Sequence, residues 1–177
     1  LARLRGILQM IERFKTLFYV KSSLISLYLA LTIPISFISI DELKTFSTFT
    51  FVLGLYFIIN ITSDYVETCN NKVSYKTSFV SKVLGRKNWE IPWQDIKLIK
   101  SLPTSQGSKV YYFKTNQDNY LLVPQRVENF KKFLLIVSQN TDIATNELSY
   151  ISPLWTYKFL TFLSVAMIAG ELFAFLN

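Results

Sequence analysis

Two stretches of this chain are free of charge for about the thickness of a bilayer, and they lie almost back to back. Residues 22–40, SSLISLYLALTIPISFISI, and 45–63, TFSTFTFVLGLYFIINITS, contain no Asp, Glu, Lys or Arg. At a rise of ~1.5 Å per residue, each can cross the ~30 Å hydrocarbon layer as an α-helix. The charged tetrad Asp41-Glu42-Leu43-Lys44 between them reads as a short loop, so residues 22–63 are expected to form an antiparallel transmembrane hairpin, with Pro34 kinking its first helix. A third apolar run fills residues 151–177. There Ser152 is positioned to cap a helix, Pro153 to take its first position, and Trp155 and Tyr157 to serve as interfacial anchors in an aromatic belt.

The flanking charges orient these spans. Arg3, Arg5, Arg13, Lys15 and Lys21 precede the first one, whereas the tetrad holds two acids and one lysine. By the positive-inside rule the N-terminus and residues 64–150 are expected on the cytoplasmic or stromal side of a bacterial inner membrane or thylakoid, and the third span carries the C-terminus across. Residues 1–21 place Leu4, Ile7, Leu8, Ile11, Phe14, Leu17 and Phe18 at helical spacing, with basic residues mostly elsewhere on the wheel. They read as an amphipathic helix lying in the interface, the plainer alternative being a cytoplasmic extension of the first span. They lack the apolar run and small-residue cleavage site of a secretory signal, and a first residue of Leu1 implies processing or an alternative start codon.

Between the spans, from Lys72 onward, the apolar period changes to two. KVSYKTSFVSKVLGRKNW reads as two strands broken near Gly85, and EIPWQDIKLIKSL as a third. TSQGS marks a turn, and KVYYFKTN pairs with NYLLVPQR across Gln117-Asp118. Then RVENFKKFLLIVSQN turns helical, with Val127, Phe130, Phe133, Leu134 and Val137 on one face. Trp89 and Trp93 are expected to pack into the core, and Pro92 to mark a bent strand start or edge, where its missing N–H costs nothing. Strands followed by one closing helix imply a small barrel or bent sheet plugged at one end.

Three features of this segment carry a resemblance: a strand pair turning at Gly85-Arg86, the element Ile91-Pro92-Trp93-Gln94-Asp95-Ile96 leading into an alternating strand, and Leu121 to Pro124 running into the terminal helix. Together they resemble the pleckstrin-homology-like (PH-like) domain of bacterial membrane proteins, over about residues 65–140. The resemblance implies a binding scaffold without catalytic residues. The layout of a two-span hairpin followed by such a domain is similar to that of photosystem I assembly proteins, although those lack a third span; likeness of layout does not by itself establish function. The expected fold class is therefore an α+β membrane protein: a transmembrane helical hairpin, a small PH-like β-barrel or sheet capped by one helix, and a C-terminal transmembrane helix.

Composition removes most chemistry. The 177 residues include no histidine and one cysteine, Cys69, so there is no His-based general base, no His zinc ligand and no internal disulfide. The glycines are scattered singly, so no phosphate-cradling loop is present. Asp64, Glu67, Glu90 and Asp95 show no pairing typical of acid/base or metal work. We therefore expect no enzyme, no metal and no cofactor. The net charge of +7 is concentrated before Ser22 and between Lys72 and Lys132. It suits anionic lipid better than nucleic acid, for which no reading motif exists. Lys76, Lys82, Arg86 and Lys87 form a candidate lipid-facing basic cluster, beside the plainer reading of a solvated basic face. In the third span, Glu171 is costly in lipid and marks a partner contact or a side chain reaching the far interface. Gly170 beside it permits close approach of a neighbouring helix. Two functions follow as expectations: an accessory or assembly factor that docks on an integral membrane protein complex, and an anionic-lipid or membrane-surface sensor. No oligomeric state is implied.

Overall fold

The structure is a computed structural model describing residues 11–38 and 41–176, with the side chains of residues 36–42 outside the described part. Along the chain, strand β1 (Glu12–Lys15) precedes helices α1 (Phe18–Ile38) and α2 (Asp41–Ile61). Strands β2 (Tyr65–Thr68) and β3 (Lys72–Lys76), the short helix α3 (Phe79–Val83) and β4 (Trp89–Pro92) follow. A single 3-10 turn at Trp93–Asp95 leads into β5 (Ile96–Pro103), β6 (Lys109–Thr115) and β7 (Tyr120–Leu122). Helices α4 (Phe130–Thr141) and α5 (Leu154–Leu176) complete the chain. The protein is thus a mixed α+β chain with three helices, among the described residues, long and apolar enough to cross a membrane.

The three long helices share one end. α1 packs against both α2 and α5. Near the start of α5, the Lys158 ammonium lies 4.8 Å above the ring of Tyr19, in the first turn of α1, so the two helices run side by side in the same direction. Small residues build the buried face of α1, namely Ser23, Ser26 and Ala30, and α5 contributes the buried Ser164; such side chains let helix axes approach. The hydroxyls of Ser23, Thr50 and Ser164 donate to carbonyls of their own helices, so polar groups in apolar helices are satisfied internally. Three boundaries differ from expectation. α1 begins at Phe18 and takes in Lys21, a residue whose long stem tolerates the rim of a span. The tetrad expected as a loop forms the first turn of α2 instead, where acidic residue types suit the positive end of the helix dipole. α5 begins at Leu154, so Pro153 stands just before the helix rather than at its first position.

β1 corrects the expectation of an N-terminal helix over 1–21, whose residues 1–10 lie outside the described part. Glu12–Lys15 pairs antiparallel with β2, Arg13 opposite Glu67 and Phe14 opposite Val66. The helical spacing of Ile11, Phe14, Leu17 and Phe18 was ambiguous, because only Phe14 and Leu17 are buried while Ile11 and Phe18 are exposed. The cross-strand partners decide the matter: Arg13 bonds Glu67 at 2.7 Å and lies 4.6 Å over the ring of Tyr65.

Among the described residues, seven strands form two antiparallel sheets, in the orders β1-β2-β3-β4 and β5-β6-β7. They meet where chain leaving β7 returns beside β1: Thr16 bridges Val127, Leu17 N–H donates to the Arg126 carbonyl at 2.7 Å, and Glu128 N–H to that of Lys15. The β5–β6 turn holds Gly107 at positive φ, and the β6–β7 turn holds Asp118 there, a conformation Asp tolerates. Phe14, Val66, Val73, Ile91, Trp93 and Phe113 form the core with Phe130, Phe133 and Val137 of α4, which covers one end. Trp93 is buried and donates its indole N–H to the Cys69 carbonyl at 2.8 Å; Trp89 is half-buried, stacked on Tyr75 and edge-on to Phe113. Pro92 ends β4, an edge strand of its sheet, opposite Lys72, so the edge alternative of the sequence reading holds and the strand start does not.

The α1–α2 crossing turns on one glycine. The Tyr28 hydroxyl donates to the Phe51 carbonyl at 2.8 Å, with the two rings stacked 5.8 Å apart, and a methyl group added at Gly54 would collide with that hydroxyl. Gly54→Ala is expected to cost ~1–3 kcal/mol through overpacking. Combined with Tyr28→Ala it should cost less than the two single changes summed, which thermal unfolding of the four chains in one detergent will measure.

Candidate functional site

Asp64 follows the end of α2 by three residues and is buried. Its Oδ2 accepts from the Tyr75 hydroxyl at 2.9 Å, the Ser81 hydroxyl at 3.0 Å and Arg86 Nη1 at 3.1 Å, while Oδ1 accepts from the Ser78 backbone N–H at 2.8 Å. Its carbonyl accepts from Thr16. The Asp64 carboxylate thus ties the exit of α2 to β3, α3 and the loop beyond, and its carbonyl ties it to the turn after β1. Taking a carboxylate out of water is costly unless it is paired and hydrogen-bonded, and four donors satisfy both conditions. The same arrangement acts on Tyr75: burial first, then the neighbouring negative charge and the hydrogen bond to it, push its phenol from the usual value near 10 up to about 12.

Local sequence builds this arrangement. Ser78 caps α3, its hydroxyl accepting from Ser81 N–H, and Gly85 at φ +85° ends the helix as its N–H returns to the Lys82 carbonyl. The reversal sends Arg86 back to Asp64. Gly85-Arg86 is therefore the end of a helix and not the hairpin turn expected from sequence. Asp64 itself escaped sequence reasoning, because its partners stand 11 to 22 positions away. The one available signal was an acid directly after an uncharged span and ahead of a Ser-x-x-Ser run.

The basic cluster is divided by this geometry. Lys76 faces Glu90 at 3.7 Å, Glu90 being held mainly by Lys72 at 2.6 Å, which pulls its carboxyl below the usual range. Arg86 holds Asp64. Lys82 and Lys87 are exposed and make no ion pair among the described residues. Beside them α3 leaves Phe79, Val83 and Leu84 exposed by 59–70%, next to the end of α2. A helix turn with three bare apolar side chains and adjacent lysines is amphipathic in the sense that suits a membrane surface.

Above these residues, between the helix ends and the sheets, lies an open cavity of about 630 Å³. Val20, Leu24 and Ile61 of α1 and α2 form one wall. Tyr75 and Trp89 form a second, and Val110, Tyr112, Tyr120 and Leu121 of β6 and β7 a third. Arg86, Lys87 and Arg126 stand at its margin. It is the seam where the two sheets diverge on the side facing the long helices. No group of three or more His, Cys, Asp or Glu able to hold a metal ion occurs among the described residues.

The remaining sequence candidates sit on α5. Trp155 is exposed and Tyr157 half-buried in its first turn. Glu171 is half-buried, and its Oε2 is shielded yet has no hydrogen-bond partner among the described residues. At Gly170 a Cβ would meet no heavy atom within 4 Å, so this surface is open. The structure thus does not bring Gly170 and Glu171 near the basic cluster; they lie toward the opposite end of the long helices.

No family model matches the sequence, and no solved structure matches the chain. The chain is 26% identical over 159 residues to the uncharacterized protein slr0269 of Synechocystis sp. (strain ATCC 27184 / PCC 6803 / Kazusa), covering 86% of this chain and 80% of that one.

Removing the Asp64 carboxylate leaves buried donors without an acceptor. Asp64→Ala is expected to destabilise the protein by about 3 kcal/mol or more, and Arg86→Gln by less because its guanidinium is half exposed; chemical denaturation in detergent will rank them. Tyr75 adds a pH dependence. Its pKa is raised on folding, so its contribution is whole below pH ~10 and is lost as pH rises toward 12. Tyr75→Phe should flatten the fall in stability across pH 10–12, read as melting temperature against pH.

Proposed function

We propose that this chain is a non-enzymatic integral-membrane accessory or assembly factor, docking on a larger membrane protein complex through its helices and presenting a PH-like module on the cytoplasmic or stromal side. The observation that carries this reading is Glu171. A carboxylate oxygen shielded within an apolar helix and lacking a hydrogen-bond partner is expensive in hydrocarbon, and a donor from a neighbouring subunit relieves the cost. The open surface at Gly170 gives a neighbouring helix room to approach. α2 supports the same reading: it packs on α1 and buries none of its apolar window in this chain. The PH-like assignment draws on two antiparallel sheets closed at one end by α4, and the thylakoid as location on the cyanobacterial relative. A second reading, membrane-surface sensing, is favoured by the bare apolar side chains of α3 beside Lys82 and Lys87.

Affinity purification of the tagged full chain in mild detergent, with quantitative mass spectrometry, tests the docking reading. A defined set of membrane subunits is expected to stay bound through moderate salt. Glu171→Leu should lower their recovery about tenfold, the worth of one charged hydrogen bond near 1.4 kcal/mol. Recovery of the wild-type chain alone, or recovery unchanged in Glu171→Leu, sinks the proposal.

A further inference from the structure

We infer that the cavity between the helix ends and the sheets binds one anionic lipid taken from the adjoining leaflet, its acyl chain lying inside and its headgroup at the basic margin. This is separate from the docking reading and rests on the membrane-surface one, to which it adds a specific site. The cavity volume, about 630 Å³, falls within the ~300–1,000 Å³ common for small-molecule sites, with the apolar walls and few polar groups such sites share. Two walls are unlike in origin. Leu24 and Ile61 belong to helices apolar enough to cross a membrane, so the opening is continuous with the surface a leaflet would touch. Tyr112 and Leu121 belong to the soluble sheet, so a chain entering there leaves the bilayer proper.

Charge selects the headgroup. Arg86, Lys87 and Arg126 face one buried carboxylate, Asp64, which leaves the margin with a net charge of +2. Asp64 accepts from a single nitrogen of Arg86, and that guanidinium side chain is 52% exposed, so it retains N–H donors for a second anion. Lys87 and Arg126 are exposed and unpaired among the described residues. An anionic phosphate or sulfonate head fits this margin; a zwitterionic head, carrying its own cation, fits it less well. The adjacent α3, with Phe79, Val83 and Leu84 bare, would hold the margin at headgroup depth.

The full chain in phosphatidylcholine nanodiscs, doped with phosphatidylglycerol brominated along the acyl chain, provides the test. Bromine quenches tryptophan at contact, and Trp89 lines the cavity whereas Trp93 is buried in the core. Trp155→Phe removes the exposed helix tryptophan from the background. Saturable quenching is expected with brominated phosphatidylglycerol, absent when Trp89 is also replaced by Phe. Lys87→Gln with Arg126→Gln should weaken it about 30-fold in apparent affinity, the equivalent of ~1 kcal/mol for each basic residue near a membrane surface. Equal quenching by brominated phosphatidylcholine, or quenching untouched by the double change, overturns the inference. If the surface-sensing reading holds without the cavity, anionic vesicles will retain the chain in a salt-dependent way while Trp89 stays unquenched. If that reading itself fails, salt-dependent retention disappears as well.

Discussion

The carboxylate of Asp64 is the point through which the membrane-like and sheet-like halves of this protein are mechanically joined. A peptide segment leaving an apolar helix has to find partners for its polar groups within a few residues, and Asp64 supplies them three residues past α2. Its four donors come from β3, the start and middle of α3, and the loop after it; Thr16 adds the strand-to-helix turn on the other side. Hence the direction in which α2 emerges fixes where β2 begins, and with it the register of the sheet β1-β2-β3-β4. A hydrophobic contact could hold these elements close, but it is indifferent to rotation. Four donors converging on one buried carboxylate are not, which is why the junction has a defined geometry.

Much of the architecture was legible because it rests on short periods. Absence of charge over ~20 residues marks a span whatever surrounds it, and the alternation of Lys109–Thr115 and the helical face of α4 are repeated at fixed spacing. What sequence reading misplaced rests on distant partners. Glu12–Lys15 has no strong preference of its own. Its state is set by Glu67 and Tyr65, more than 50 residues on, and by Val127 across its other edge. Gly85-Arg86 carried the marks of a hairpin, but the Ser78 cap and the pull of Asp64 on Arg86 turn the segment into a helix and its end. The basic cluster was read as one surface, yet two of its four members have structural partners, and only coordinates distinguish a cation that holds a carboxylate from one that faces solvent.

The same division explains why the two candidate surfaces differ in kind. At the shared end of the long helices, polar groups are abundant and largely satisfied, and what remains over is positive charge next to apolar area. At the other end, α5 carries one carboxylate in an otherwise apolar helix, with an open surface beside it. A headgroup layer tolerates the first arrangement at no cost, since water and lipid anions are both at hand. Hydrocarbon does not tolerate the second without a donor. That contrast is what separates the two proposals, a lipid at the basic end and a protein neighbour at the acidic end.

The two surfaces share one element, α1, which packs on both α2 and α5 and contributes Val20 and Leu24 to the cavity wall. A neighbour engaging α5 at Glu171, as proposed, would meet a helix that lies along α1. A lipid held in the cavity, as inferred above, would touch the start of α1, next to the Thr16 and Asp64 contact. Small buried residues such as Ser23, Ser26 and Ser164 let these helix axes lie close together. α1 is thus an element common to both surfaces, and just before its start the Thr16 hydroxyl is held by the Asp64 carbonyl.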